Sequence, residues 1–344
     1  MTIVKQFPGN ILISRTDSIG DTILTLPIAG VLKKYYPGIK IGFMGNAYTR
    51  PVIEACKHID DFIDVQDFME RTIGICGQPP EAIIHIFPVA AIARRARATG
   101  IPLRIGTTHR AYHWITCNKL VAVGRRNSDL HESQLNLKLL KPLGITRDFP
   151  LEDIATYTGL ENIQPLPSLL AGLIQPDKYN LILHPRSQGS AREWGIPNFI
   201  KLTSLLDKDR YRIFISGTKK ERASLQPLFD AIGETVTDIT GQMNLHEFIS
   251  FIGACDGLVA GSTGPLHIAA ALGKDALGIY PPMRPIHPGR WAPIGPRVQV
   301  FVLDKNCSAC RDTRMSCQCI MDVNPLRIVE ALERASSFVQ KTIV

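Results

Sequence analysis

Four loops in this chain place carboxylates, hydroxyls, guanidiniums and glycines directly after short apolar runs. The first reads Arg15-Thr16-Asp17-Ser18-Ile19-Gly20-Asp21 and follows Ile11–Ile13. A turn that only reversed the chain would not need two carboxylates beside a glycine. A carboxylate at such a place can take a proton from a hydroxyl as that hydroxyl attacks; Asp21 can have that role or can be a partner of the helix start. Asp17 or Ser18 then caps the helix that follows, and either aspartate complements its dipole. Gly20 is expected to let the backbone turn tightly.

The other three loops are suited to anions and nucleosides. His184-Pro185-Arg186-Ser187-Gln188-Gly189-Ser190-Ala191-Arg192 can wrap a phosphate, with Arg192 as a forked donor; a polar surface loop is the plain alternative, with Trp194 plugging the core. Gly261-Ser262-Thr263-Gly264-Pro265-Leu266-His267 opens a helix with Pro265 near its first position. Its small residues and the helix N-terminus suit a diphosphate, although Ser-Thr-Gly is also an ordinary cap and His267 can be a core histidine. Ser216-Gly217-Thr218-Lys219-Lys220-Glu221 offers an acid that can accept ribose hydroxyls or simply serve a helix dipole.

Eight cysteines are present. Four are scattered in apolar surroundings and read as reduced core residues. Cys307, Cys310, Cys317 and Cys319 cluster as C-x2-C followed by C-x-C; a structural zinc site, reduced thiols and a redox-sensitive staple all fit that spacing. No catalytic metal motif is found.

The elements that must carry these loops alternate. Short β-rich runs (Asn10–Ser14, Lys40–Met44, Asp61–Val65, Ala82–Phe87, Arg104–Gly106) are interleaved with helical spacing such as Thr22–Tyr36, Thr49–Cys56 and His131–Leu143. The rhythm lapses in the proline-containing stretch from Leu151 to Tyr179, which reads as a linker, and resumes from Asn180 to Ile279, with a last helix at 325–340. The pattern predicts an α/β protein of two Rossmann-like halves facing a cleft, with ligands at the carboxyl ends of the strands. The 344 residues suit two domains, and 45% hydrophobic residues suffice for two cores. The net charge of +8 favours anionic partners, but no nucleic-acid motif accompanies it, so no nucleic acid is expected as partner. No long apolar span or signal peptide is seen, and a cytoplasmic location is expected.

Taken in order, the motifs resemble glycosyltransferase family 9, the heptosyltransferases that add ADP-activated heptose to the lipopolysaccharide inner core. The resemblance lies in Ile-Leu-x-x-Arg-x-x-x-Ile-Gly-Asp with Leu-x-Leu-Pro (Ile11–Pro27), Gly-Pro-x-His-x-Ala-Ala-Ala-Leu-Gly (Gly264–Gly273), Tyr280-Pro281-Pro282, Arg290-Trp291-Ala292-Pro293 and the late cysteine pattern ending Cys319-Ile320-Met321. It implies a GT-B fold: an acceptor domain over 1–165, a donor domain over 166–325, and a helix over 326–344 crossing back to the first. It implies inverting, metal-independent transfer with no cofactor, from a nucleotide-sugar donor, an ADP-sugar first, to a lipid-linked or oligosaccharide acceptor. Association with the inner face of an anionic membrane is compatible with such an acceptor.

By that resemblance Asp21 is the base, with Ser18 and Gly20 on the acceptor side. Arg192 and Thr263, Gly264, Pro265, Leu266 and His267 bind the donor phosphates. Gly217, Glu221 and Met243 face the nucleoside. Ser262 stands where lipopolysaccharide heptosyltransferases commonly carry an aspartate that touches the donor sugar, and Phe87-Pro88 stands where Gln-Gly is usual. These departures keep open a different nucleotide-sugar transferase or a 2-epimerase; a non-catalytic nucleotide-binding scaffold is the rival from outside enzymes.

Overall fold

The computed structural model describes residues 7–125, 128–284, 286–304, 307 and 317–340. The chain forms two compact units, Met1–Asn162 and Ile163–Val344. The first contains six strands, β1 Asn10–Ser14, β2 Lys40–Gly45, β3 Asp61–Asp64, β4 Ala82–His85, β5 Leu103–Thr107 and β6 Lys119–Val121, in the order β3-β2-β1-β4-β5-β6. The second contains β7 Tyr179–His184, β8 Tyr211–Ile215, β9 Thr237–Asp238, β10 Gly257–Ala260, β11 Asp275–Ile279 and β12 Val298–Phe301, in the order β12-β11-β10-β7-β8-β9. Every pairing among these named strands is parallel.

Each sheet therefore reverses its winding once, between β1 and β4 in the first unit and between β7 and β10 in the second. Such a reversal opens a crevice at the carboxyl ends of the two strands, where doubly wound folds bind ligands. Strands β1, β4, β7, β10 and β11 are buried along their whole length, because helices cover both faces of a parallel sheet. This is why their centres appear in the sequence as short apolar runs.

Several elements differ from the sequence reading. The helix expected over Thr22–Tyr36 is two helices, Ile19–Ile23 and Pro27–Tyr35. Pro27 has no N–H, so the first ladder cannot continue through it. Gly20 is a buried residue inside the first of these helices rather than a tight turn. The helix expected over His131–Leu143 is α-helical only to Leu137 and continues as a 3-10 turn containing Pro142. The stretch read as a linker begins with short helical turns, Leu151–Ile154 and Ala155–Tyr157. These pack on helix Pro27–Tyr35 so closely that a Cβ at Gly30 would lie 2.2 Å from the Tyr157 carbonyl oxygen. Helix Pro325–Gln340 packs on helix Ile196–Leu205 and β12. The turn just before Pro325 is pinned by the indole of Trp194, which donates to the Val323 carbonyl at 2.9 Å.

Candidate active site

In the first unit, the β1 strand ends at the winding reversal and delivers Arg15. Its side chain is 3% exposed and meets three carboxylates. Nε donates to Asp17 at 2.7 Å, one terminal nitrogen donates to Asp21, and the other donates to Glu132 at 3.2 Å. Burial works against the guanidinium charge, but the fields of Asp21, Asp17 and Glu132 outweigh it and raise the Arg15 pKa. Burial pushes the Asp17 carboxyl up, and Arg15 opposes the shift.

Asp21 is held from a second side. Ser18, in extended backbone, caps helix Ile19–Ile23 and accepts from the Asp21 N–H at 3.3 Å. The Ser18 hydroxyl donates to Asp21 Oδ2 at 2.6 Å. Of the two candidate caps, Ser18 has that role and Asp17 binds Arg15. One Asp21 oxygen thus takes the guanidinium and the other takes the hydroxyl. Each carboxylate oxygen has two acceptor positions, and the Asp21 side chain is 20% exposed, so a further proton donor has access.

The clamp has a brace that sequence reasoning missed. Glu132, 2% exposed, also accepts from Arg125 Nε at 3.1 Å. Arg125 reaches the Ile86 carbonyl and Asn136, and Ser133 donates to the Leu24 carbonyl at 2.8 Å. Helix Glu132–Leu137 therefore fixes both the far side of Arg15 and the end of the helix carrying Asp21. The one signal available in sequence was Arg15 itself, a charge just past a strand with an apolar centre, Ile11–Ile13.

In the second unit, the loops after β7 and β10 meet at the other winding reversal. A Cβ on Gly261 would lie 3.1 Å from the Arg192 carbonyl oxygen, so the loop carrying Ser262 and Thr263 touches the loop carrying Arg192. Arg192 is half-buried. Its neighbour Arg186 donates to Glu193 at 2.9 Å and to the Ser224 carbonyl at 2.6 Å. Glu193 in turn accepts from the Ser187 amide at 3.0 Å. Arg186 and Glu193 thus fix the loop from within.

Thr263, in extended backbone, precedes helix Gly264–Ala271. Its side chain makes no capping bond, and its hydroxyl is buried without a hydrogen-bond partner. Pro265 contributes no N–H, and the His267 N–H reaches Thr263 O at 3.4 Å. Gly264 and Leu266 therefore supply the outward amides of the first turn. His267 is buried in the helix. Ser262 hydrogen-bonds Tyr280, whose hydroxyl is pushed up by burial and also donates to the Trp291 carbonyl at 2.9 Å.

The three nucleoside candidates come together. Glu221 accepts from the Thr218 amide at 2.8 Å and from the Gln188 amide at 3.2 Å, tying the loop after β8 to the loop after β7. Gly241, at φ +66°, donates to the Gly217 carbonyl at 2.9 Å, and a Cβ there would lie 2.8 Å from Lys219 Cα. This contact seats the turn bearing Met243 against Gly217–Glu221. Met243 is partly exposed and sits two residues before helix Leu245–Ala254.

Cys317 and Cys319 are buried in the core of the second unit, with Cys307 packed against it; Cys310 lies outside the described residues. Among the described residues no group of three His, Cys, Asp or Glu is placed to hold a metal ion. No helix among them is long and apolar enough to cross a membrane.

Comparison with known proteins agrees with this arrangement. A Haemophilus influenzae protein carrying only a provisional name as a glycosyltransferase is 25% identical over 96% of both chains. The lipooligosaccharide heptosyltransferase 2 of the same organism is 20% identical over 80% of this chain and 84% of its own. Among solved structures, a family 9 glycosyltransferase from Veillonella parvula superposes with a TM-score of 0.79 at 17% identity, covering 95% of this chain and 97% of its own. Escherichia coli ADP-heptose lipopolysaccharide heptosyltransferase II gives 0.75 at 18% identity, covering 96% and 99%. These likenesses identify the two-sheet architecture as the GT-B fold of heptosyltransferases. The family described as glycosyltransferase family 9 (heptosyltransferase) matches residues 87–321. The chain therefore belongs to glycosyltransferase family 9 and is a glycosyltransferase.

Proposed function

We propose that this enzyme transfers a heptose from an ADP-sugar to a hydroxyl of a lipopolysaccharide-type acceptor, in one displacement that inverts the anomeric carbon. The observation that carries the reading is the two-sided clamp on Asp21 at the winding reversal of the first sheet. As the acceptor oxygen bonds to the anomeric carbon, its proton passes to Asp21 and the bond to the nucleoside diphosphate breaks. General-base assistance of this kind contributes about 10²–10⁴ in rate.

The departing diphosphate gains negative charge. Arg192 and the outward amides of Gly264 and Leu266 stabilise it, and the Thr263 hydroxyl supplies a donor that the fold leaves unused. On this reading these groups do the work for which other transferases recruit a divalent cation, and no cofactor is needed. Gly217, Glu221 and Met243 form the nucleoside end. His267 and Pro265 shape the helix start, Ser262 faces the sugar, and Ser18 and Gly20 belong to the acceptor side through the helix of Asp21.

The choice of heptose and ADP rests on those relatives that are named as heptosyltransferases, one of them as an ADP-heptose lipopolysaccharide heptosyltransferase. A second reading, transfer of another sugar, is favoured by Ser262, where the resemblance leads one to expect an aspartate. The experiment is product analysis with ADP-heptose and a panel of other nucleotide sugars, on a heptose-deficient lipopolysaccharide core, with and without EDTA. Heptosylated product with inverted configuration in EDTA supports the proposal. Transfer from another donor alone, or loss of turnover in EDTA, overturns the corresponding part.

A further inference from the structure

We propose that the face of the first unit built by helices Ala90–Ala98 and Ala111–Thr116 seats the enzyme on an anionic lipid bilayer. Trp114 and Ile115 stand next to each other on the second helix, 64% and 65% exposed. Two adjacent large apolar side chains, each about two-thirds in water, are an unusual surface pair for a protein that buries its other tryptophans further. The indole is not loose: its N–H donates to the Thr108 carbonyl at 3.0 Å.

The surroundings are basic. Arg94 and Arg97 are exposed on the first helix, which packs against the second, and Arg97 donates to the Ile115 carbonyl. Arg110 and Lys119 are exposed on either side of the second helix. From Ala82 to Ser128 the sequence has eight Lys and Arg residues and no Asp or Glu. That segment accounts for the whole net charge of +8, since the remaining 31 Lys and Arg balance the 31 Asp and Glu. A bilayer of anionic lipid matches both features: phosphates meet the arginines, and Trp with Ile enters the headgroup boundary, where an amphipathic ring is favoured. A soluble polyanion would use the cations but not the apolar pair.

The face begins beside the acceptor half of the site. Helix Ala90–Ala98 starts three residues after Phe87, whose ring lies 5.9 Å from the Arg15 guanidinium. The proposal deepens the reading of a lipid-borne acceptor and rests on that reading only for its purpose; binding itself does not depend on the sugar or on Asp21.

The test is co-sedimentation of the full chain, without nucleotide, with vesicles of phosphatidylcholine alone or with 30 mol% phosphatidylglycerol (roughly the anionic content that attracts basic surfaces). Wild type is expected to bind the anionic vesicles, with a blue shift of tryptophan emission, and not the neutral ones. W114S/I115S abolishes the shift and weakens binding about tenfold or more, and R94E/R97E weakens it by a similar factor. D21N binds like wild type, which separates this proposal from the catalytic one. Equal binding of wild type and both double variants, no binding of wild type, or retention on heparin alone would overturn it. All four side chains are exposed, and circular dichroism with thermal melting verifies that the variants are folded.

Discussion

The buried guanidinium of Arg15 binds Asp21 at one nitrogen and Glu132, 117 residues further along the chain, at another. This couples the orientation of the proposed base to helix Glu132–Leu137, which is remote from it in sequence. Arg15→Met removes the clamp and leaves the buried Glu132 with Arg125 but without Arg15, which costs about 3 kcal/mol, the low end for a broken buried pair, because part of the compensation remains. Arg15→Lys keeps the charge but cannot serve three carboxylates with a rigid fork. The lysine variant is expected to fold, bind donor normally and lose about tenfold or more in kcat. Urea titration and steady-state kinetics check both; unchanged kcat in the lysine variant would mean that Asp21 does not need the clamp.

Asp21→Asn retains shape and the contact with Ser18 but cannot accept a proton. Its kcat should fall about 10²–10⁴-fold, with nucleotide affinity within twofold of wild type because the nucleotide-binding candidates lie in the second unit. Single-turnover kinetics with isothermal titration separate the two effects. Turnover near wild type would remove Asp21 from the chemistry.

Much of this was legible because the determinants are local. Gly257–Ala260 followed by Gly-Ser-Thr-Gly-Pro reads as strand, loop and helix start, and the structure has β10, the Thr263 loop and helix Gly264–Ala271 there. Asp21 and Arg192 stand out in the sequence because each lies in a polar, glycine-containing stretch after an apolar run. The brace was not legible, since no local pattern links Glu132 or Arg125 to Arg15. Edge strands β6 and β12 were missed because three or four residues are too short to show a period. The turns at 151–157 were hidden by their length, and their packing on Gly30 is a long-range contact.

Gly241 offers a test of the nucleoside end. At φ +66°, with Lys219 backbone 2.8 Å from where a Cβ would sit, alanine is both strained and obstructed. Gly241→Ala should cost about 2 kcal/mol or more and displace the Met243 turn from Gly217. Nucleotide dissociation constants should rise by an order of magnitude or thereabouts, while binding of acceptor alone is unchanged. Unaltered nucleotide affinity in a destabilised variant would show that the turn is structural only.

Thr263 gives effects of opposite sign. Its hydroxyl is buried without a partner in the ligand-free chain, so Thr263→Val removes an unmet polar group and should leave the melting temperature equal or slightly higher. The same change deprives a bound diphosphate of one donor, weakening it about tenfold. Thr263→Ser should restore binding. A lower melting temperature with unchanged affinity would reverse the assignment.

Acid should loosen both sheets at the same carboxyl ends that carry the site. His85 is fully buried with neither ring nitrogen hydrogen-bonded, and burial, reinforced by His113 and Arg104, pushes it down to about 3. It pairs in register with Ser14 across β1 and β4, and its ring lies 5.4 Å from that of His113. In the second sheet burial pushes His184 down to about 4 against the pull of Glu221 and Glu193, and its Nδ1 shares a 2.9 Å hydrogen bond with Ser216. Below the ordinary histidine value near 6.5 the unfolded chain binds protons that these folded sites refuse, so stability rises with pH across this window and is lost as pH falls toward 4 and 3. At pH 5 each site accounts for about 2 kcal/mol of loss relative to neutral pH. Urea titrations between pH 7.5 and 5 should show this decline, and His85→Leu should flatten it by about half. A decline with the same slope in that variant would mean that His85 is protonated in the folded protein.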